Sequence, residues 1–155
     1  MRILVTSIPG MGHIHPLVPL VSGLQRAGHE VVWATGPEAC DRVERYGFRT
    51  VPAGPTAAER GSLAATPPPS PKSVPPRERR QTFFGARFGA AAIRMHRDLA
   101  PIVDDLHPDL IVHDAAEFAA APIAKARGIP HVTVAFSGTL SDALVASIVE
   151  GAADE

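Results

Sequence analysis

Along this chain, short unbroken apolar runs alternate with segments in which apolar residues recur at helical spacing. Ile3-Leu4-Val5 is an unbroken apolar run typical of a strand buried on both faces. After Pro16, apolar residues recur every three or four positions, and Gly28 ends the predicted helix. The β-rich run over 29–34 follows almost at once. A strand, a helix and a strand in such close succession predict a right-handed parallel crossover.

The same alternation continues through the later segments. They are predicted, in order, as a helix over 38–46, a strand over 48–52, a long amphipathic helix over 83–106, a strand over 108–114, a helix over 118–127, a strand over 130–136, and a loop with one more helix over 137–155. Pro101 is expected to kink or divide the long helix. Five strands alternating with helices predict an α/β fold class, a Rossmann-like doubly wound parallel sheet of at least five strands.

One stretch interrupts this pattern. Residues 53–80 show no hydrophobic periodicity, and residues 52–76 hold about half of the 16 prolines. We predict a flexible or extended Pro-rich loop there, inside one domain that covers 1–155.

Composition narrows the class of protein. With 45% hydrophobic and 20% charged residues the chain is globular, and its net charge of -1 gives no basic footprint for nucleic acid. Cys40 is the single cysteine, so an internal disulfide is excluded and a cytoplasmic location is expected. Neither a signal peptide nor a membrane span is expected. Small-molecule chemistry is favoured.

The first loop carries the most informative motif. Gly10 and Gly12 are expected to let the backbone turn tightly after the first strand, which places His13 at the sheet edge where open α/β sheets bind ligands. Dinucleotide binding is disfavoured, because His15 replaces the third glycine of that fingerprint. Thr35 stands where an acidic ribose-binding residue is required.

Several blocks of sequence resemble a known family. They are residues 9–17 (PGMGHIHPL), 26–31 (RAGHEV), 108–114 (PDLIVHD) and 126–130 (ARGIP). Together they resemble the N-terminal domain of the UDP-glycosyltransferase superfamily. Within it the bacterial antibiotic and macrolide glycosyltransferases are the most similar, with a Gly-His-x-x-Pro signature in their first loop. A small departure is His15, where many relatives have Asn or another polar residue.

This resemblance implies a GT-B architecture, in which two Rossmann-like domains face each other across a cleft. The first domain binds a hydrophobic natural-product acceptor, and the second holds a nucleotide-diphosphate sugar as co-substrate. This chain resembles the acceptor-binding domain only, and the donor-binding domain is absent from it. No further cofactor and no metal are expected. The apolar face left open where the second domain docks would favour self-association.

His13 is the candidate general base. Inverting glycosyl transfer requires an acceptor hydroxyl to lose its proton, and imidazole titrates near neutrality. Asp114 ends a predicted strand at the same sheet edge, where its carboxylate would stabilise the imidazolium and fix the tautomer. The resemblance points to the same two positions. The alternatives are that His13 is a capping or surface group and that Asp114 is a turn or N-cap residue.

Other residues are candidates for contacts. The candidates for acceptor binding are Met11, Phe83, Phe84, His113 and Glu117; Gly12 and His15 are the donor-proximal candidates. The phenylalanines could equally be core, and His113 and Glu117 could lie in a solvated loop. His15 is preferred as the N-cap before Pro16, with a donor phosphate at the helix N-terminus as the alternative. The seven histidines show no metal-ligand spacing, so no metal site is predicted.

Two other function classes were compared with glycosyl transfer. A Ser-His-Asp hydrolase is disfavoured because the chain has no Gly-x-Ser-x-Gly elbow. A non-catalytic module of the same fold, binding a small molecule or a partner chain, remains the alternative function.

Overall fold

The computed structural model describes residues 1–63 and 88–136. The strands are β1 (Arg2–Thr6), β2 (Glu30–Thr35), β3 (Arg49–Pro52), β4 (Leu110–Asp114) and β5 (His131–Val134); the helices are α1 (Met11–Ile14), α2 (Leu17–Arg26), α3 (Pro37–Glu44), α4 (Ala57–Leu63), α5 (Ala90–Leu106) and α6 (Ala120–Arg127). The predicted α/β class is confirmed.

All strand pairs are parallel, and the sheet has the order β3-β2-β1-β4-β5. The chain leaves β1 toward β2 on one side and later returns to β4 on the other. Thr6, the last residue of β1, pairs with Ala34 on one side and His113 on the other. This reversal of strand order opens a crevice at the carboxyl ends of β1 and β4.

The two faces of the sheet carry separate apolar clusters. Leu4, Val32 and Ile111 pack against α5 and α6. Their strand neighbours Val5 and Val112 point to the opposite face, which is covered by α1, α2 and α3. Both faces are therefore buried, which is why the central strands are continuous apolar runs instead of alternating ones.

The long α5 passes through Pro101 as one helix. The prediction that proline divides it is wrong, because Met95, Leu99 and Val103 are all buried in the same cluster and hold the turns on both sides. The predicted start of this helix, over 83–87, lies outside the described residues.

The predicted Pro-rich loop contains a helix that the proline content concealed. α4 begins after Thr56, whose hydroxyl accepts a hydrogen bond from the Glu59 N–H at 3.2 Å. The Glu59 carboxylate in turn accepts one from the Thr56 N–H at 2.7 Å. This reciprocal capping box stabilises the first turn, so the loop prediction is wrong over 57–63. Residues 64–80 of that prediction lie outside the described part of the chain.

The first loop also differs from its prediction. Gly10 has an ordinary extended backbone, with φ of -72° and ψ of 137°, and Gly12 lies inside the one-turn helix α1. A Cβ on Gly10 would lie 3.2 Å from Cδ2 of His13, so this glycine permits close approach of the imidazole. The N-cap of α2 is Pro16. The preferred assignment of His15 as that N-cap is therefore wrong, since its ring bonds elsewhere.

Candidate active site

The loop that carries His13 is fixed to β2 at its start. Ser7 is fully buried, and its N–H donates to the Ala34 carbonyl at 3.1 Å. Its hydroxyl accepts the indole N–H of Trp33 at 2.9 Å and lies 3.4 Å from the Thr35 hydroxyl. These bonds fix the end of β1 before the chain enters α1. Within α1 the His13 N–H donates to the Gly10 carbonyl at 2.9 Å.

His13 and Asp114 form a hydrogen-bonded pair. Nδ1 of His13 lies 3.1 Å from Oδ1 and 3.0 Å from Oδ2 of Asp114, across 101 residues of sequence. The Asp114 side chain is 1% exposed and that of His13 is 30% exposed. Because an ionised carboxylate only accepts hydrogen bonds, Nδ1 carries the hydrogen. Nε2 is therefore the nitrogen with a free lone pair in the neutral imidazole.

Backbone N–H groups orient the Asp114 carboxylate. Ala116 donates to Oδ1 at 2.8 Å, and Ile8 donates to Oδ2 at 3.4 Å. These two donors fix the orientation of a carboxyl group that is removed from water. Asp114 is thus held between the loop after β4 and the loop before α1, and it faces the imidazole of His13 with a defined geometry.

Phe136, two residues after β5, contacts the imidazole from another side. Its ring meets that of His13 edge to face, with centroids 6.3 Å apart and planes at 71°. Aromatic pairs prefer this arrangement, and the contact restricts rotation of His13. No sequence signal identifies Phe136, because only the fold brings the end of β5 to the loop after β1.

A cleft of about 320 Å³ opens beside His13. Its walls are largely apolar and come from the first loop, the segment after β3, α5 and the segment after β4: Ile8, Pro9, Ala53, Pro55, Phe88, Ala91, Ala92, Met95, Ala116 and Phe118. The side chains of His13, Ser7, Glu117 and Arg60 add polar groups to the lining. An apolar cleft with a few placed polar groups is the usual form of a small-molecule site.

Glu117 lines this cleft, but its carboxylate is occupied by protein donors. Oε1 accepts the N–H of Ala119 at 2.6 Å, and Oε2 accepts the Thr6 hydroxyl at 2.7 Å and the N–H of Ala120 at 3.2 Å. Burial raises the pKa of Glu117 above its ordinary value. The side chain caps the N-terminus of α6 and connects it to β1, which is a positioning role.

His113 lies away from the cleft. Its Nε2 is 3.0 Å from the Thr133 hydroxyl and 3.2 Å from Nδ1 of His131, both on β5. Burial lowers its pKa below the ordinary value of 6.5. Alternation along β4 directs His113 and Asp114 to opposite faces, and His113 does not line the cleft described above, so its contact with an acceptor stays a prediction.

The other residues predicted to contact the acceptor or the donor lie in different parts of the molecule. Met11 packs against the apolar cluster under α1, outside the cleft lining. Gly12 has open space where a Cβ would stand. His15 Nε2 is 2.9 Å from the Tyr46 hydroxyl on the exposed surface. Phe83 and Phe84 lie outside the described residues.

Two further features concern ions and membranes. Within residues 1–63 and 88–136, no three His, Cys, Asp or Glu side chains converge as a metal site requires. None of the helices in those ranges has the length and apolar character needed to cross a bilayer.

Arg60, on α4, is a lining residue that the sequence analysis did not select. It lies in the segment predicted as a loop, where no periodicity indicated a helix. The capping box formed by Thr56 and Glu59 is the signal that could have placed it.

The fold matches solved glycosyltransferases. The chain superposes on SsfS6, a glycosyltransferase of Streptomyces sp. SF2575, with a TM-score of 0.81 and 24% identity, covering 99% of this chain and 44% of that one. It superposes on the glycosyltransferase VinC, solved in complex with DTDP, with a TM-score of 0.68 and 26% identity, covering 100% of this chain and 39% of VinC. This sheet is therefore the N-terminal Rossmann-like half of a GT-B fold.

Sequence relatives agree with the fold. The chain is 35% identical over 136 residues to L-demethylnoviosyl transferase of Streptomyces niveus, covering 85% of this chain and 34% of the relative. It is 32% identical over 143 residues to 4'-demethylrebeccamycin synthase of Lentzea aerocolonigenes, covering 88% of this chain and 32% of that relative. The chain thus spans about a third of the length of the curated relatives that it matches.

A family model, described as Erythromycin biosynthesis protein CIII-like, N-terminal domain, matches residues 22–150. The match covers most of the chain and begins after the loop that carries His13. Together with the relatives it confirms the resemblance to bacterial antibiotic glycosyltransferases. The chain belongs to the family of Erythromycin biosynthesis protein CIII-like N-terminal domains, the amino-terminal part of antibiotic-biosynthesis glycosyltransferases.

Proposed function

We propose that this chain is the acceptor-binding domain of an inverting glycosyltransferase, with His13 as the general base. The observation that carries the proposal is the bond between His13 Nδ1 and the buried Asp114 carboxylate at the edge of an apolar cleft. An imidazole that is oriented by a second group and opens onto a concave site satisfies the geometric requirements for proton abstraction.

In the proposed reaction, Nε2 of His13 takes the proton of an acceptor hydroxyl. The hydroxyl oxygen attacks the anomeric carbon and forms the new glycosidic bond. The bond from that carbon to the diphosphate oxygen breaks, and its electron pair leaves with the nucleoside diphosphate. A single displacement inverts the anomeric configuration. Asp114 stabilises the imidazolium that forms, as the carboxylate does in a catalytic triad.

The acceptor is a hydrophobic natural product. The support for this class is the apolar lining of the cleft, which includes Phe88, Met95 and Phe118. Burial of a fused-ring or macrocyclic surface there would be favourable by about 25 cal/mol for each Å² removed from water. The name of one relative, oleandomycin glycosyltransferase of Streptomyces antibioticus, agrees with a natural-product acceptor.

The donor is a nucleotide-diphosphate sugar, held by the part of the longer relatives that this chain does not match. SsfS6 has been solved with thymidine diphosphate, and VinC with DTDP. In this proposal the transfer requires no metal ion or further cofactor. His13 and Asp114 move the proton, and the nucleoside diphosphate is the leaving group.

The test uses a full-length enzyme that contains these 155 residues, supplied with a thymidine-diphosphate sugar and a panel of apolar aglycones. His13→Ala is expected to lower the turnover number for transfer by about 10²- to 10⁴-fold. His96→Ala, an exposed histidine on α5, is the matched control and should leave transfer unchanged. The anomeric configuration of the product is read by NMR. Unchanged transfer in His13→Ala, or retention of configuration, would contradict the proposal.

A further inference from the structure

We infer that the cleft selects acceptors that carry an anionic oxygen, such as a carboxylate, phenolate or enolate, and that Arg60 is the residue that binds it. The inference rests on the proposed function and specifies the substrate class of that site. It concerns the guanidinium of Arg60, which stands in a largely apolar lining.

The guanidinium is fixed by the protein before any ligand arrives. Nη1 donates to the Pro55 carbonyl at 2.6 Å, and Nη2 lies 3.4 Å from Oε2 of Glu38. The side chain is 31% exposed. Holding a long side chain in one place lowers the entropy cost of using it for binding.

The surroundings of Arg60 make room for it beside the His13 loop. A Cβ on Gly36 would come 2.8 Å from Pro9 and 3.2 Å from Nη1 of Arg60. Any larger residue at position 36 would therefore displace the loop, the guanidinium or both. Gly36 brings the cation close to the segment that leads into His13.

Arg60 forms an ion pair with Glu38 and keeps further N–H donors for a ligand. Glu38 is only one partner: its contact with Nη2 is long, and its other oxygen accepts a hydrogen bond from the Ala57 N–H. The guanidinium has five N–H groups, and within residues 1–63 and 88–136 hydrogen bonds to Pro55 and Glu38 occupy two of them. The remaining N–H groups can bind an oxyanion.

The acidic groups of the cleft do not cancel this preference. Asp114 is paired with His13, and the carboxylate of Glu117 is occupied by Thr6 and two backbone N–H groups. An acceptor with a hydroxyl at His13 and an anionic oxygen at Arg60 would be oriented at both ends, while its apolar body fills the space between. Arg60 is thus a specificity-determining residue, distinct from the base.

The test compares two probes of equal shape on the 155-residue chain, 6-hydroxy-2-naphthoic acid and 6-hydroxy-2-naphthamide, by isothermal titration calorimetry. Each carries its hydroxyl and its carboxylate or amide at opposite ends of the ring system. The wild type should bind the acid about tenfold more tightly than the amide, the effect expected of one charge-assisted contact. Arg60→Gln should remove this preference while leaving the affinity for the amide unchanged, which also shows that the cleft is still folded. Arg60→Lys should retain a preference of a few fold.

Two controls identify the cation. Arg26→Gln removes an exposed arginine at the end of α2 and should keep the full preference. His96→Ala, a change at an exposed histidine of α5, should keep it too. If the amide binds as well as the acid, or if Arg60→Gln keeps the preference, the inference about Arg60 is wrong and the proposed transfer is unaffected. If neither probe binds, the acceptor cleft itself is contradicted.

Discussion

His113 and Asp114 are neighbours on β4, yet they belong to two different sites on opposite faces of the sheet. Asp114 faces α1 and orients His13 at the edge of the cleft. His113 faces the other way and bonds to Thr133 and His131 of β5. Both sites contain a buried titratable group and a histidine, and the histidine of the first site lines the cleft described above.

The difference shows what makes a polar cluster chemically useful. In the Asp114 site the buried carboxylate uses one histidine nitrogen and leaves Nε2 for a ligand. In the His113 site, both ring nitrogens lie within hydrogen-bonding distance of protein groups, with Nδ1 3.3 Å from the Asp114 carbonyl. Satisfied donors and acceptors stabilise a fold, whereas a nitrogen left free at a cleft can move a proton.

The largest effect is expected from Asp114→Asn. The amide keeps the shape but lacks the charge, and it can donate to Nδ1, which would favour the wrong tautomer of His13. Transfer by the full-length enzyme should fall by about 10³-fold. Asp109→Asn is the matched control, since Asp109 accepts a hydrogen bond from the Arg2 N–H at the exposed opposite end of β4. Comparable losses in both variants would show a general sensitivity of β4 instead of a role in proton transfer.

His113→Ala is expected to lower the stability of the fold while changing transfer little. It should lower the free energy of unfolding by about 2 kcal/mol, because it leaves a cavity and removes the partner of the Thr133 hydroxyl. Transfer per folded molecule should stay within about threefold of the wild type. Urea unfolding and initial rates measure the two quantities, with His96→Ala as the exposed control. A loss of transfer like that of Asp114→Asn would place His113 in the active site.

The pH dependence of stability gives a smaller effect from the same residue. Burial lowers the pKa of His113 in the folded protein, so the unfolded chain binds this proton more readily. Its contribution to stability is therefore present above the unfolded pKa of about 6.5 and is lost as the pH falls below it. His113→Gln should reduce the loss of unfolding free energy between pH 7.5 and pH 5.5, while His96→Gln should not. An unchanged slope in His113→Gln would assign the acid sensitivity to another group.

Much of the site could be predicted from the sequence. The apolar runs gave the strand positions, and the rule that parallel strands end at one edge brought His13 and Asp114 together across 101 residues. The same rule does not say which way a side chain points. Strand alternation supplies that information: once Asp114 faces His13, its neighbour His113 must face the opposite side of the sheet.

The residues that sequence reasoning missed depend on longer-range packing. Phe136 reaches His13 only because β5 lies beside β4, and Glu117 needs both β1 and the start of α6 to become buried. Arg60 was missed for a local reason. Its segment is rich in proline and has no helical periodicity, so the Thr56 and Glu59 capping box is the one local helix signal there.

The central claim is that His13 and Asp114 act as one unit in proton transfer. A double-mutant cycle tests it most directly, with turnover measured in the full-length enzyme for His13→Ala, Asp114→Ala and the two changes combined. If Asp114 acts only through His13, the double variant should be no slower than His13→Ala alone, as the coupling of contacting residues predicts. Independent roles would give losses that multiply, and a double variant slower than His13→Ala by the full factor of Asp114→Ala would contradict the account.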